Sequence, residues 1–303
     1  MKLCSIIVVT HNNLEYTKQC LESIIRKTDY HPFELIVVDA HSTDGTLEYL
    51  RSKPEVRLVP LEKNYPFSCS LNRGIQAAKG EYLCFMNNDI LAIQPDWLKI
   101  LMDCIDSDKR IGIVGPKLLN QNDDLSVRKK QLSTLIFKTS AIKWGEGTQL
   151  PRYICPDGKE YKIFVEDDTL TVCTYVMGAC LLASRRLIDI VGLFDEQFFF
   201  AYDETDYCVR SWKAGRKVVC NTKAKVVHLV GKTIQAVTDK DYEYDTHQYE
   251  NPATRFFRKH SPKDFEMILK QAKGPARFCI WKIQYKIQKA LERARFCYSI
   301  ILF

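Results

Sequence analysis

Three carboxylates stand close together in an aromatic segment of the sequence. They are Asp203, Glu204 and Asp206, and His228 follows them at the end of a later apolar run. Such a cluster suits a general base that acts beside a metal-bound anion. The acids also suit a plainer role, because negative side chains stabilise the first turn of a helix. His228 taken alone is equally consistent with a hydrogen-bonded core histidine.

Further polar residues follow three apolar runs in the first third of the chain. Thr10 and Asn12 come after the first run, Asp39 after a second, and Asn88 and Asp89 after another. If these runs are parallel strands, their carboxyl ends meet at one edge of a sheet, where α/β proteins bind ligands. Each position also has a simpler explanation, since Asp and Asn are common in caps and turns.

Apolar runs alternate with amphipathic segments along the chain. Continuous apolar runs are typical of strands covered on both faces, and i, i+3, i+4 spacing predicts helices. We expect strands at 3–10, 33–38, 56–59, 82–86, 111–114, 170–175, 180–183, 217–220 and 226–229. We expect helices at 14–26, 46–52, 67–79 (with Gly80 as its cap), 185–191 and 205–214, and others opening at Pro95, Pro252 and Pro262. This order predicts an α/β fold: a doubly wound, mostly parallel sheet with helices on both faces, followed by a C-terminal helical extension.

The composition is ordinary for a soluble globular protein. Of 303 residues, 46% are hydrophobic and 27% are charged, which are usual values. The 12 cysteines form no C-x-x-C pair and lie mostly in apolar stretches, so we interpret them as reduced, buried thiols and not as zinc ligands. No signal-peptide pattern is visible, and no apolar run approaches the roughly 20 residues of a membrane span. We therefore expect a cytoplasmic protein.

The net charge of +7 is concentrated in the tail. From Lys273 onward seven basic residues accompany a single acid, so the body of the chain is nearly neutral. Within 275–303, isoleucines oppose a basic stripe at helical spacing, formed by Lys282, Lys286, Lys289 and Arg293. This pattern is typical of an amphipathic helix on an anionic membrane surface, here the inner face of the cytoplasmic membrane. A helix packed on the body or against a second copy would show the same pattern. Basic charge confined to a tail does not predict nucleic-acid binding.

Seven short segments combine in one order along the chain: residues 5–12, 37–46, 80–89, 178–186, 192–196, 202–210 and 226–228. Each is weak alone, but together they resemble family 2 glycosyltransferases of the GT-A fold, and within these the rhamnosyltransferase-like branch. The resemblance implies an inverting enzyme that transfers a hexosyl or deoxyhexosyl group. Its donor would be a nucleotide-diphosphate sugar, and its acceptor a hydroxyl of a glycan or lipid-linked molecule in surface polysaccharide synthesis.

The resemblance also implies how the acidic cluster is used. Glu204 would be the general base that takes the proton from the acceptor hydroxyl. Many relatives carry Glu-Asp where this chain has Asp203 and Glu204, so Asp203 is a second candidate for the base. Asp206 would support the acceptor side.

The donor site follows from the same resemblance. Asp89 and His228 would hold a divalent cation, for which oxygen and imidazole ligands suit Mn²⁺ or Mg²⁺. Many relatives have an aspartate where this chain has Asn87, so the cation could be weakly bound or dispensable. The nucleotide would contact Asp39, with its pocket lined by Thr10, Asn12 and Asn88.

We expect a glycosyltransferase domain at 1–235, with a nucleotide-binding half at 1–115 and an acceptor or catalytic half at 116–235, followed by the extension at 236–303. Two other functions share parts of the pattern. A nucleotidyltransferase would have a similar sheet and a metal carboxylate, but the loop after the first strand lacks a Gly-rich basic sequence. A non-catalytic nucleotide-sugar binding module would need the donor site alone, and an assay of metal-dependent donor hydrolysis separates it from an enzyme.

Overall fold

The computed structural model describes residues 1–120, 134–135, 153–154, 160–161, 170–199, 201–229 and 250–271. The strands in this part of the chain are β1 (Cys4–Thr10), β2 (Phe33–Asp39), β3 (Val56–Pro60), β4 (Tyr82–Asn87), β5 (Ile90–Ala92), β6 (Ile111–Asn120), β7 (Thr134–Leu135), β8 (Tyr153–Ile154), β9 (Glu160–Tyr161), β10 (Leu170–Cys173), β11 (Tyr175–Val176), β12 (Cys180–Ser184) and β13 (Lys217–His228). The helices are α1 (Leu14–Lys27), α2 (Thr46–Arg51), α3 (Phe67–Ala77), α4 (Trp97–Ser107), α5 (Arg185–Val191), α6 (Asp203–Lys213), α7 (Pro252–Lys259) and α8 (Pro262–Gln271).

A mixed sheet forms the centre of the described part of the chain. Its nine strands have the order β10-β13-β6-β12-β4-β1-β2-β3, with β5 paired to β13. The strands β1 to β4 are parallel, and β6 is parallel to β13. The strand β12 lies antiparallel between β4 and β6, while β5 and β10 are antiparallel to β13. Most strands therefore run in one direction, and the predicted doubly wound, mostly parallel sheet is confirmed.

Helices cover both faces of this sheet, because each buries one apolar side. In α1 the buried residues are Thr17, Cys20, Leu21 and Ile24, at the spacing of one helical face. Cys20, Leu21 and Ile24 belong to the same core cluster as Trp97 of α4. On the other face, Leu71 of α3 packs in a second cluster with Tyr207 and Trp212 of α6. Burial of each such apolar side chain stabilises the fold by about 1.5–3 kcal/mol.

Two local predictions were wrong. The expected strands at 217–220 and 226–229 are parts of one long strand, β13, which ends at His228 and has an irregularity between Asn221 and Lys225. β13 pairs with β6 on both sides of this irregularity. The polar residues between the two apolar segments gave no sign that one strand runs through them. Gly80 was expected to cap α3, but α3 ends at Ala77. Gly80 instead lies against β1, where a Cβ would be 2.6 Å from the backbone N of Ser5.

The C-terminal helices α7 and α8 pack against the body. Both begin at prolines, Pro252 and Pro262, as predicted, since proline suits the first turn of a helix. Their buried residues Phe256 and Ile268 join the same core cluster as α6. The domain boundaries stay predictions, although the one at 115/116 falls inside β6. The predicted amphipathic segment 275–303 lies outside the described residues.

Two further expectations concern cysteines and membrane spans. Nine cysteines of the described part are buried free thiols, as the sequence indicated. None of the described helices combines the length and the apolarity that crossing a bilayer requires.

Candidate active site

The polar residues that follow β1, β2 and β4 meet at the carboxyl edge of the sheet. In the ladder between β1 and β2, Thr10 pairs with Asp39. In the ladder between β1 and β4, Val9 pairs with Asn87. Parallel register therefore places the ends of the three strands side by side, as the sequence predicted.

The loops at this site contain strained backbone. The described non-glycine residues with positive φ are Asn12, Asn13 and His41, which follow β1 and β2, and Ala201 and Tyr202, which precede α6. Such conformations cost on the order of 1 kcal/mol each and tend to cluster at functional sites. Because these residues lie in the loops after β1 and β2 and in the turn before α6, we assign these three segments to one candidate site.

Asp39 has one carboxylate oxygen without a partner. The residue is fully buried, and its Oδ2 accepts a hydrogen bond from the backbone N of Ser42 at 3.0 Å. Its Oδ1 is buried and accepts no hydrogen bond from the protein. An unsatisfied buried acceptor is costly, so Asp39 is suited to receive a donor group from a ligand.

Thr10 and Asn88 are joined in a buried hydrogen-bond cluster. Asn88 Nδ2 donates to Thr10 Oγ1 at 3.0 Å and to Thr17 Oγ1 at 3.1 Å. The two threonine hydroxyls are 2.8 Å apart. This cluster ties the loop after β4 to β1 and α1. Nucleotide contact by Thr10 and Asn88 stays a prediction.

Asn12 connects the loops after β1 and β2. Its Oδ1 accepts a hydrogen bond from the backbone N of Thr43 at 2.8 Å, and its own backbone N donates to Ser42 Oγ at 2.7 Å. The backbone N of the same Ser42 donates to Asp39 Oδ2. Asn12 therefore holds the loop that surrounds Asp39, and its predicted contact with the nucleotide is untested.

Asp89 and His228 come together although 138 residues separate them. Asp89 Oδ1 lies 3.3 Å from His228 Nε2, and both residues are buried. The strand pairing of β13 with β5 brings them together, with the backbone N of Leu229 donating to Asp89 O at 2.9 Å.

The Asp89–His228 pair fits two adjacent ligands of one cation. A cation held octahedrally at about 2.1 Å separates neighbouring ligand atoms by about 3.0 Å, close to the observed separation. Asn87 adds a buried Oδ1 without a hydrogen-bond partner. No cluster of three or more His, Cys, Asp or Glu residues suited to a metal occurs in the described ranges. Two protein ligands are typical of a cation that the oxygens of a bound diphosphate complete.

Two successive contacts connect Glu204 to the end of β4. The backbone N of Asn87 donates to Ala179 O at 3.0 Å. The neighbouring Gly178 packs against Glu204, because a Cβ on Gly178 would be 3.0 Å from Glu204 Cβ and 3.3 Å from its Cγ. Glycine at 178 thus leaves room for the Glu204 side chain beside the loop that carries Asp89.

Asp203 and Glu204 are neighbouring acids in the first turn of α6. Burial, followed by the charge and hydrogen bond of Asp203, raises the pKa of Glu204 to about 8. Burial also raises the pKa of Asp203. A carboxylate that merely capped a helix would be stabilised in its charged form, and its pKa would fall. The raised pKa values favour proton transfer over simple capping.

Asp206 is held by three cationic or donor groups and has no exposed surface. Its Oδ2 accepts from Arg210 Nε, and its Oδ1 contacts both Lys259 Nζ and His260 Nε2, each at 2.8 Å. Burial alone would raise the pKa of Asp206, but the His260 hydrogen bond and the charges of Arg210 and Lys259 lower it to about 2. Both oxygens are engaged within the protein, and the predicted acceptor-side role remains untested.

Sequence reasoning missed several positioning residues. His260 and Lys259 lie in the C-terminal extension, where no motif pointed to the site. Asn72 of α3 was also missed: it donates to Phe194 O at 3.0 Å and to Glu196 Oε1 at 2.8 Å, and its Oδ1 accepts from Phe194 N at 3.0 Å. These bonds fix the segment that leads into α6. A buried Asn on the apolar side of a helix was the available signal.

The chain is similar in sequence to several curated proteins. An N-acetylglucosaminyl-diphospho-decaprenol L-rhamnosyltransferase of Mycobacterium tuberculosis is 26% identical over 235 residues, which are 74% of this chain and 75% of that protein. The O-antigen biosynthesis protein RfbC of Myxococcus xanthus is 26% identical over 243 residues, or 78% of this chain. The matched regions span only 24% and 18% of the lengths of two curated relatives.

Structural similarity and a family match complete the comparison. The crystal structure of GalNAc-T7 with UDP, GalNAc and Mn²⁺ superposes with a TM-score of 0.58 at 14% identity, covering 89% of this chain and 48% of that one. This similarity supports the fold. The profile described as "Glycosyl transferase family 2" matches residues 5–173, which is more than half of the chain. The chain therefore belongs to glycosyl transferase family 2.

Proposed function

We propose that this protein is an inverting glycosyltransferase. It transfers a hexosyl or deoxyhexosyl group from a nucleotide-diphosphate sugar to a hydroxyl of a glycan or lipid-linked acceptor in surface polysaccharide synthesis. The observation that carries the proposal is the acidic pair of buried Asp203 and half-buried Glu204. Glu204 packs against Gly178, whose neighbour Ala179 is bonded to Asn87 at the loop of Asp89. A base of raised pKa next to an Asp–His pair suits proton removal beside a departing diphosphate.

In the proposed reaction, Glu204 accepts the proton of the acceptor hydroxyl. The hydroxyl oxygen forms a bond to the anomeric carbon from the face opposite the diphosphate, and the bond from that carbon to the diphosphate oxygen breaks. The electron pair leaves with the diphosphate. Asp39 accepts a hydrogen bond from the nucleotide through its unpartnered Oδ1, with Thr10, Asn12 and Asn88 forming the pocket.

Asp89 and His228 are the proposed ligands of a divalent cation, Mn²⁺ or Mg²⁺. When bound, the cation would neutralise charge on the departing diphosphate. The 3.3 Å separation of their ligand atoms supports this assignment. The Mn²⁺ in the GalNAc-T7 structure is a property of that protein, and it makes Mn²⁺ the first cation to test here.

The relatives suggest which substrates to test first. The Mycobacterium tuberculosis relative is named as a rhamnosyltransferase acting on a decaprenol-diphosphate-linked acceptor. We extend this to the present chain as a proposal: a deoxyhexosyl donor and a polyprenyl-diphosphate-linked sugar as acceptor. The proposed location is the inner face of the cytoplasmic membrane, where such an acceptor would be reached from the cytoplasm.

The test is a screen of the purified protein against nucleotide sugars with Mn²⁺ or Mg²⁺, with and without a polyprenyl-linked acceptor. Release of nucleoside diphosphate together with a longer glycan supports the proposal. Glu204→Gln controls for contaminating transferases. Donor binding without turnover in the full panel would favour a binding module, and release of pyrophosphate from a nucleoside triphosphate would favour a nucleotidyltransferase.

The tail at 275–303 is proposed to bind the anionic membrane surface. Each basic residue near such a surface contributes about 1 kcal/mol, and salt screens this attraction. Binding to anionic vesicles should therefore weaken with salt and disappear when the chain is truncated after Gly274. A full-length variant with Lys282, Lys286 and Lys289 changed to Gln should bind more weakly and with a smaller dependence on salt, and should keep the contribution of the apolar face. Vesicle binding by the truncated protein would contradict the proposal and favour a packing or dimerisation helix.

A further inference from the structure

A network of ion pairs and hydrogen bonds around the buried Asp206 links α7 to the start of α6. Asp206 lies in the first turn of α6, three residues after Asp203, and has no exposed surface. Two of its three partners, Lys259 and His260, come from the end of α7. His260 is 1% exposed. Since a carboxylate oxygen only accepts, His260 Nε2–H is the donor in their 2.8 Å hydrogen bond.

The same helix also holds the segment before α6. Arg255 Nη2 donates to Asp195 Oδ1 at 3.0 Å and to Oδ2 at 2.8 Å, and Arg255 Nε donates to Oδ2 at 3.3 Å. Lys259 Nζ lies 2.9 Å from Asp195 Oδ2 and 2.8 Å from Asp206 Oδ1, so it bridges the two acids. Side chains of α7 therefore bind Asp195 before the turn and Asp206 after it, and the turn between them precedes the acidic pair.

Aromatic packing fixes the turn itself. Ala201 and Tyr202 have φ values of 64 and 67°, which L-residues adopt only when the surroundings enforce them. The Tyr202 ring packs on Phe256 and Phe257 of α7, with ring centroids 5.1 and 6.4 Å apart. The strained turn that presents Asp203 and Glu204 thus rests on α7.

We propose that His260 is a positioning residue for the catalytic pair, and that α7, which lies beyond the matched family region of 5–173, completes the active site. His260 acts through Asp206: its hydrogen bond holds the first turn of α6 so that Glu204 points toward the acceptor. This inference rests on the glycosyl transfer proposed above. It assigns a function to the C-terminal extension that is independent of membrane binding.

Arg258 provides a matched control on the same helix. Its side chain is 65% exposed and pairs with Glu250, also within the C-terminal segment. It does not contact Asp206 or Asp195 in the described structure. Arg258→Leu and His260→Leu thus place the same residue at two neighbouring positions, of which only the second removes a donor to the α6 turn.

The first measurement is hydrogen exchange in the full-length protein, which needs no activity. His260→Leu should raise amide exchange in the first turn of α6 and leave exchange in β1, β2 and β4 unchanged. His260→Gln, whose amide can still donate to Asp206, should restore protection. Arg258→Leu should match wild type.

The second measurement is steady-state kinetics with donor and acceptor. Misplacing a catalytic group by about 1 Å costs up to about 100-fold, so His260→Leu should lower kcat by about 10- to 100-fold. Nucleoside diphosphate affinity by calorimetry should change less than about twofold, because Asp39 and Asp89 are on other elements. His260→Gln should recover most of kcat.

The outcomes separate this inference from the proposed function. The inference would be overturned if a folded His260→Leu protein, even one of lower stability, showed wild-type exchange in α6 and a wild-type kcat. It would also be overturned if His260→Gln lost as much protection and as much kcat as His260→Leu. If His260→Leu fails to fold, Lys259→Met is measured in its place, because it removes a partly exposed partner of Asp206 Oδ1. We then expect faster exchange in the first turn of α6 and a lower kcat, with nucleotide affinity little changed. A wild-type protein without transferase activity would refute the proposed function, while the exchange result would still decide the role of His260.

Discussion

The coupling between Asp203 and Glu204 makes a quantitative prediction about pH. The pKa of Glu204 is raised from the ordinary 4.5 to about 8, first by burial and then by the neighbouring carboxylate. Only the ionised form can accept a proton, so kcat/KM of the wild type should rise with pH through about 8. Asp203→Asn keeps the shape of the side chain and removes its charge. Because burial is the larger cause, the ascending limb should then move down by about one pH unit and stay well above 4.5.

The test compares pH profiles of kcat/KM, which report the free enzyme. Glu204→Gln should lower kcat by about 10²–10⁴-fold while donor affinity survives. Glu22→Gln, on the exposed side of α1, is the matched control and should behave as wild type. Near-normal turnover in Glu204→Gln together with an inactive Asp203→Asn would move the base to Asp203. If Asp203→Asn is active and its kcat/KM rises over the same pH range as that of wild type, the charge of Asp203 does not raise the pKa of Glu204.

The same raised pKa has a consequence for stability that needs no substrate. The unfolded chain loses the Glu204 proton near 4.5, whereas the folded protein retains it until about 8. Ionisation in the folded state is therefore unfavourable, and wild type should lose stability relative to Glu204→Gln as pH rises through this window. Thermal unfolding should give similar Tm values near pH 5 and a higher Tm for the variant at pH 9. Equal Tm values at both pH values would show that the carboxyl ionises normally.

Three further predictions test the donor site and its surroundings. Asp39→Ala removes the unpartnered Oδ1 and should weaken nucleoside diphosphate binding by about 10-fold or more, because hydrogen bonds to charged groups contribute about 1.5–3 kcal/mol; unchanged affinity by calorimetry would exclude the contact. Chelation should abolish transfer and Mn²⁺ or Mg²⁺ restore it, while Asp89→Asn and His228→Gln should each raise the cation concentration needed; full activity in chelator would remove the metal from the proposal. Gly178→Ala would place a Cβ 3.0 Å from Glu204 Cβ, so kcat should fall by about 10-fold with donor affinity unchanged, and a wild-type kcat would show that Glu204 has room to adjust.

The sequence was sufficient for the parts that depend on local pattern. Continuous apolar runs predicted the strands β1, β2 and β4, since a strand covered on both faces needs apolar residues at every position. Parallel strands end at a common edge, so the positions of Asp39 and Asp89 at those ends followed from strand order alone. The family resemblance implied that His228 and Asp89 share one site. Their atoms lie 3.3 Å apart in the fold, and their role as metal ligands stays a prediction.

Tertiary structure decided how these groups are held and charged. The bond from His260 to Asp206 crosses 54 residues, and that from Asn72 to Phe194 crosses 122. Neither helix carries a local pattern that specifies its distant partner, because the partners are brought together by packing in one core cluster on one face of the sheet. The pKa of Glu204 likewise depends on burial and on the closeness of Asp203, which spacing along the chain does not determine. The sequence therefore determined which residues stand at the strand ends. The fold decided which polar side chains lack a hydrogen-bond partner, which carboxyl group keeps its proton, and which side chains are held by distant partners.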